Sequence, residues 1–164
     1  MTNKAIRTLV LAALFAALAC VATMVIQIPS PMNGYVNLGD CFVLLAGWVL
    51  GPVYGSLAAG IGSALADMFT GYMHYAPGTF LIKAVMALIT WALAKALISR
   101  FRGKRALCKG ISAVVAELFM VVGYYLYAGL LLGKGLGALG AAASIPGNLV
   151  QGAVGAIAAV LLSQ

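Results

Sequence analysis

Acidic residues are almost absent from this chain. Its 164 residues include three Asp or Glu, one His and ten Lys or Arg, so that only 8% are charged. Soluble globular domains have about 25% charged and roughly 45–50% apolar residues, whereas 64% of this chain is apolar. The mean hydropathy is +1.09. This composition excludes a soluble enzyme, a disordered chain and a nucleic-acid-binding domain.

Cysteine is also scarce. Cys20, Cys41 and Cys108 are scattered, odd in number and without the spacing of metal ligands. We interpret them as small buried side chains rather than as a disulfide or a metal site. The phosphate-binding motif G-x-x-x-x-G-K-S/T of ATPases does not occur either. The sequence therefore predicts no metal, no cofactor, no catalytic residue and no ATPase site.

Long apolar stretches fill most of the chain. A bilayer core of about 30 Å needs roughly 20 helical residues, so this length holds five or six spans and no soluble domain of useful size. We predict an all-α integral membrane protein, a single domain of residues 1–164 that folds as a bundle of six transmembrane helices. Spans two and three are short, and one long broken helix is the alternative for them. The predicted spans are residues 5–28, 40–50, 56–70, 79–98, 110–132 and 141–162.

Basic residues cluster at two places. Lys4 and Arg7 lie at the start of the first span, and residues 99–109 form a basic loop between the fourth and fifth. Cytoplasmic loops of membrane proteins are rich in Lys and Arg. Both clusters are therefore predicted to be cytoplasmic, and the four spans between them agree with this. Both termini are then predicted to be inside, which requires an even total number of spans, and six spans meet that requirement. The loops that then face outward are residues 29–39, 71–78 and 133–140.

Polar side chains within the spans fall in the predicted outer halves or at the midplane. A charged side chain at the bilayer centre costs at least about 2.5–3.5 kcal/mol, so Asp67, Lys83 and Glu117 should face the bundle interior. They line an outward-opening pocket, or Asp67 and Lys83 form only a structural ion pair. The candidate binding residues are Asn37, Asp40, Asp67, Tyr75, Lys83, Glu117, Tyr124, Asn148 and Gln151.

Some of these candidates have a second interpretation. Asn37 and Asp40 are residue types that favour helix N-caps, and Tyr124 could belong to an aromatic belt at the membrane surface. Asn148 and Gln151 are three residues apart and share one helix face. Mixed charges beside aromatic rings suit a small, planar, polar molecule. An ion pore would also need a polar path through the inner half.

Small residues repeat every four positions on the first span. The pairs Ala12/Ala16 and Ala13/Ala17 would let another helix approach closely. On this pattern alone, packing within the chain is favoured over contact with a partner.

The chain resembles, over essentially its whole length, the S component of an energy-coupling factor (ECF) vitamin transporter. The S component is the substrate-binding membrane subunit of such a transporter. The resemblance lies in a series of short motifs, which look like those of the hydroxymethylpyrimidine or pyridoxine-type branch. The motifs are GYVNLGD at residues 34–40, LGP at 50–52, GSALAD at 62–67, GY at 71–72, YAPGT at 75–79 and IK at 82–83.

The resemblance implies six helices, cytoplasmic termini and a vitamin site near the outer face of a prokaryotic cell membrane. It also implies a coupling transmembrane subunit with two cytoplasmic ATPases as partner. An alanine-xxx-alanine face on the first helix would meet that subunit, through Ala12 and Ala16 or through Ala13 and Ala17. Loops 29–39 and 71–78 would close over the ligand. The alternatives are an autonomous secondary carrier and an intramembrane enzyme using Ser63, Asp67 and His74.

Overall fold

The computed structural model describes residues 3–30, 34–101, 103–137 and 140–164. Five α-helices dominate this part of the chain, joined by one pair of strands and two short helical turns. Five helices are long and apolar enough to cross a membrane when the turns are counted with their neighbours. The elements are α1 Asn3–Val25, β1 Gln27–Ser30, β2 Gly34–Asn37, α2 Gly39–Phe69, α3 Ala76–Arg100, α4 Arg105–Leu126, a π-helical turn Tyr127–Leu131, a 3-10 turn Ala141–Ser144 and α5 Ile145–Leu162.

Helix α2 contains a sharp reversal. The backbone of Gly51 is non-helical, with φ 80° and ψ −168°, and Pro52 follows it. A Cβ built at Gly55 would lie 2.6 Å from the carbonyl oxygen of Ala46, nine residues earlier. In a straight helix those residues would be about 13 Å apart, so the chain folds back on itself at Gly51.

This reversal changes the predicted division of the chain. Residues 40–50 and 56–70 were predicted as two separate spans, but they are the two arms of the single element α2. One residue with a positive φ makes the turn, so no loop of several residues is needed between the arms. Within the described part of the chain, five helices rather than six meet the length needed to span, and six membrane crossings remain a prediction.

The predicted loop 29–39 is partly a β-hairpin. Strands β1 and β2 pair antiparallel, with Gln27 opposite Asn37 and Ile28 opposite Val36. The two strands satisfy each other's backbone groups where the chain passes from α1 to α2. The all-α prediction therefore misses a small sheet, and this sheet brings Asn37 to the start of α2.

Some predicted features lie outside the described residues. These are residues 1–2 of the predicted domain, residues 31–33 of the first outer loop, Arg102 of the basic loop and residues 138–139 of the third outer loop.

Polar and apolar side chains are arranged inside out relative to a soluble protein. The interior around Leu44, Met86 and Met120 is tightly buried, while large apolar side chains are exposed on every helix. The three acidic residues of the chain are all buried. The exposed charges of the described residues are therefore basic, and the apolar exterior fits a lipid environment.

Candidate functional site

A polar cavity lies at one end of the helix bundle. Helices α1 and α4 end there, while α3 and α5 begin there, so the cavity lies opposite the basic connection between α3 and α4. Each helix contributes polar side chains from its last or first turns. The lining residues are Thr23, Asn37, Ser63, Asp67, Tyr75, Thr79, Lys83, Tyr124, Ala128, Ser144, Asn148 and Gln151.

The structure brings seven of the nine predicted binding residues into this lining. The cavity also contains polar residues that the sequence reasoning did not select as binding residues. Same-face spacing could have found two of these, because Ser63 lies four residues before Asp67 and Thr79 four residues before Lys83. The seven predicted lining residues are Asn37, Asp67, Tyr75, Lys83, Tyr124, Asn148 and Gln151.

Asp40 lies directly behind the cavity wall. Its carboxylate is completely buried, forms an ion pair with Lys83 and accepts a hydrogen bond of 2.6 Å from Nε2 of Gln151. The alternative that Asp40 caps a helix is wrong, since its two carboxylate oxygens contact the side chains of Lys83 on α3 and Gln151 on α5. Removing one member of a buried ion pair leaves an uncompensated charge, so the Lys83 ammonium explains why this carboxylate points inward.

Asn37 and Gln151 connect the hairpin to α5. The backbone N–H and Nδ2 of Asn37 both donate to Oε1 of Gln151, at 3.0 and 3.3 Å. The Oδ1 of Asn37 accepts hydrogen bonds from the backbone N–H of Gly39 at 2.8 Å and from the Thr23 hydroxyl at 3.4 Å. The local bond to Gly39 resembles a cap, yet the same side chain also fixes the cavity wall.

An aromatic wall faces these amides. The Tyr124 hydroxyl donates to Oγ1 of Thr79 at 3.1 Å, and its ring meets the Tyr75 ring edge-on, with centroids 6.4 Å apart. Nζ of Lys83 lies 5.4 Å from the centroid of Tyr124, within the range of a cation–π interaction. Tyr124 therefore belongs to the cavity rather than to a lipid-facing belt.

The mouth of the cavity is bridged by a residue that the sequence reasoning missed. Nζ of Lys134 donates to the Tyr75 hydroxyl at 2.7 Å and lies 4.8 Å from the centroid of that ring. The Tyr127 hydroxyl donates to the carbonyl oxygen of His74 at 2.9 Å. The segment after α4 thus meets the connection between α2 and α3 over the cavity, while the exposed His74 does not line it.

Glu117 lies outside this cavity, contrary to the prediction. It precedes Tyr124 by seven residues on α4, which places it about 10 Å deeper in the bundle. It lines a separate crevice between α4 and α5, whose other walls are apolar except for Asn148. The sequence placed Glu117 correctly along α4, but the cavity does not extend to that depth.

The two alanine pairs on α1 point in different directions. Ala12 is buried, and a Cβ at Gly62 of α2 would collide with the carbonyl oxygen of Ala16. Ala13 and Ala17 are exposed. Ala12 and Ala16 therefore serve packing within the chain, whereas Ala13 and Ala17 form an open small-residue face.

Comparison with known proteins identifies this architecture. The family model of the ECF-type riboflavin transporter, S component, matches residues 3–164. A solved S component of a bacterial ECF transporter superposes with a TM-score of 0.72 at 25% identity, over 96% of this chain and 93% of that one. The biotin S component of an ECF-type ABC transporter shares the fold, with a TM-score of 0.64 at 19% identity over 98% and 89% of the two chains.

A protein of Pyrococcus woesei, described as an uncharacterized protein in a gap 3′ region, is 35% identical over 138 residues. The match covers 84% of this chain and 86% of that protein. The present chain belongs to the S components of ECF transporters, the substrate-binding membrane subunits of vitamin transporters. The predicted family is thereby confirmed, but the predicted hydroxymethylpyrimidine or pyridoxine branch is not, since the comparisons name riboflavin and biotin.

Proposed function

We propose that the cavity captures a small, planar, heteroaromatic vitamin for an ATP-driven ECF importer. The observation that carries this proposal is the composition of the cavity lining, which combines charged, amide and aromatic side chains inside a membrane protein. Lys83 and Asp67 offer charge, and Asn37, Asn148 and Gln151 offer amides. The Tyr124 ring adds an aromatic face. Small-molecule sites combine apolar and aromatic walls with a few placed polar groups in this way.

Riboflavin is the first ligand to test, because the matching family model describes riboflavin S components. Hydroxymethylpyrimidine and vitamin B6 forms, favoured by the sequence motifs, are the next candidates. All three have a flat ring that can stack on tyrosine and ring-edge groups that can bond with amides. Biotin, which lacks an aromatic ring, provides a contrast within the same class of nutrient.

Native mass spectrometry of the purified protein, followed by calorimetric titration with this panel, tests the proposal. We expect one planar vitamin to bind tightly and biotin to bind weakly or not at all. Lys83→Met should weaken binding, whereas Lys95→Met, the same change at the exposed basic end, should leave it unchanged. Equal binding by both variants would mean that the ligand does not bind in this cavity.

The placement of charges supports an orientation with the cavity outward. The basic connection between α3 and α4 lies at the end opposite the cavity, and such loops are cytoplasmic in membrane proteins. The reversal at Gly51 adds one crossing to the five long helices, which gives the even number that two cytoplasmic termini require. We infer that the protein resides in a prokaryotic cell membrane with loops 71–78 and 133–140 outside.

The exposed alanine face supports a partner interaction. Ala13 and Ala17 let a helix of the coupling transmembrane subunit approach α1 closely, and two cytoplasmic ATPases would drive that subunit. Vitamin uptake into membrane vesicles should therefore require the coupling subunit and ATPases. Uptake by this chain alone would favour an autonomous secondary carrier instead.

A further inference from the structure

Glu117 is a buried acid that the proposed binding site does not use. It lies within α4 with 5% of its surface exposed. Neither carboxyl oxygen has a hydrogen-bond partner among the described residues. Buried polar groups in proteins nearly always have partners, and each exception needs an explanation. Ionisable residues inside membrane segments are energetically costly, and they are therefore candidates for functional sites.

The side chain of Glu117 lies next to that of Asp40. A Cβ built at Gly155 of α5 would lie 2.9 Å from Cβ of Asp40 and 3.2 Å from Oε1 of Glu117. A Cβ at Gly152 would lie 3.0 Å from Cβ of Glu117. The two glycines therefore make room on α5 for both carboxyl side chains, one from α2 and one from α4.

The charged groups around Glu117 are few. Helix α2 contributes Asp40 and α3 contributes Lys83, while the facing part of α5 contributes glycines and the neutral Gln151. Asp67 and Tyr124 lie nearer the mouth of the cavity, and Asp67 has interactions of its own. Lys83 already forms an ion pair with Asp40, so it is the only cation for two buried carboxyl groups in this part of the described chain.

An ionised Glu117 would add a second negative charge with no hydrogen bond to offset its loss of hydration. Buried carboxyl groups in this situation take up a proton instead. A protonated Glu117 also gains a function, since its O–H can donate to the neighbouring carboxylate. Two carboxyl groups with one proton and one ammonium group then have no net charge.

We propose that Asp40 and Glu117 form a proton-binding site that holds one shared proton beside the vitamin cavity. Lys83 and Gln151 both contact Asp40 and both line the cavity. Loss of the proton therefore adds one negative charge directly behind the wall that meets the ligand. If the proposed vitamin function holds, ligand affinity is linked to the occupancy of this proton site.

Infrared spectroscopy of the purified protein in lipid nanodiscs tests the proton site without any ligand. The chain has only three acidic side chains, so a protonated carboxyl band can be assigned by three variants. At neutral pH the wild type should show this band, and it should shift in heavy water. Glu117→Gln and Asp40→Asn should both lose it, because the remaining acid is then free to ionise beside Lys83. Asp67→Asn, the matched control, should keep it.

The wild-type titration keeps the test decisive if a variant folds poorly. The band should persist through neutral pH and disappear as the pH rises. Absence of the band from the wild type at neutral pH would overturn the proposal. Retention of the band in folded Asp40→Asn would also overturn the proposal, because Glu117 would then hold its proton alone rather than share it with Asp40.

A titration with riboflavin at several pH values tests the link to binding. In the wild type the affinity should change as the band disappears, and in Glu117→Gln it should be independent of pH over the same range. A pH dependence retained in Glu117→Gln would contradict the link. If riboflavin does not bind at all, the vitamin assignment fails, but the infrared result still decides the proton site.

Discussion

Lysine side chains meet different surroundings at the two ends of the helix bundle. At the cavity end, Lys83 is 2% exposed and paired with Asp40. At the basic end, Lys95 lies 5.0 Å from the centroid of the Trp91 ring, and Lys109 lies 5.4 Å from that of Trp48. Lys109 also donates to the carbonyl oxygen of Ser163 at 2.9 Å. The basic end thus satisfies its cations with rings, carbonyls and solvent instead of acids.

This difference agrees with the proposed orientation in the membrane and with the proposed binding site. Every acidic side chain is buried, while the basic end keeps exposed positive charge. Exposed positive charge holds one end on the cytoplasmic side of a membrane. Buried charge of both signs is costly and is kept where it meets a ligand or a proton.

The largest effect is expected for Lys83→Met. The substitution leaves Asp40 buried without its cation, and breaking a buried ion pair costs about 3–5 kcal/mol. The free energy of unfolding in mixed micelles should fall by that amount. Lys95→Met removes an exposed cation at the other end and should change stability by less than about 0.5 kcal/mol. Comparable losses in both variants would mean that burial does not distinguish the two ends.

Ala13→Trp should abolish coupled uptake while ligand affinity stays near normal. The large ring would block a helix approaching the exposed face of α1, and Ala13 lies far from the cavity lining. Uptake into vesicles containing the coupling subunit and ATPases measures the first effect, and calorimetry measures the second. Ala16→Trp provides the comparison, since it should disturb packing on Gly62 and lower the yield of folded protein. Full uptake by Ala13→Trp would show that this face has no partner.

Asn148→Ala should weaken ligand binding by about 1–3 kcal/mol, the cost of leaving a buried polar group of the ligand unpaired. This corresponds to a dissociation constant about 5–150-fold higher. Gln164→Ala, at the opposite end of the bundle, removes an exposed amide and should leave the constant unchanged. An unaltered constant in Asn148→Ala would restrict the site to the side of the cavity formed by α2 and α3.

Tyr124→Phe should have the smallest effect. It removes the hydrogen bond to Thr79 but keeps the ring that faces Tyr75 and Lys83. A neutral hydrogen bond contributes about 0.5–1.5 kcal/mol, so thermal stability should fall slightly. Stacking on the ligand should be retained, with affinity changed less than in Asn148→Ala. A larger loss of affinity would mean that the hydroxyl itself binds the ligand.

The sequence predicted much of the cavity because polar residues are rare in membrane segments. Lys83, Asp67, Asn148 and Gln151 were identifiable since each must face the interior or a partner. Which carboxylate forms the ion pair with Lys83 was not predictable in this way. Whether Asp40 or Asp67 pairs with Lys83 depends on how α2 folds back at Gly51. The hydropathy pattern does not predict how the two arms of α2 are then oriented.

Other features depended on tertiary distance. Glu117 shares a helix face with Tyr124, but seven residues of helical rise place it below the cavity. Lys134 lies in a glycine-rich connection, and only the fold shows that it reaches Tyr75. The choice between the two alanine pairs on α1 needed the position of Gly62 on α2.

The double variant Lys83→Met/Asp40→Asn tests the central claim most directly. It removes the ammonium group from the cavity and also removes the charge that Lys83→Met alone would strand. Neutral replacement of a whole buried pair is often tolerated, so this protein should fold with nearly normal stability. Calorimetric titration with the vitamin that binds the wild type should then show at least a tenfold loss of affinity, about 1.4 kcal/mol. Unchanged affinity in the folded double variant would contradict the assignment of this cavity as the vitamin site.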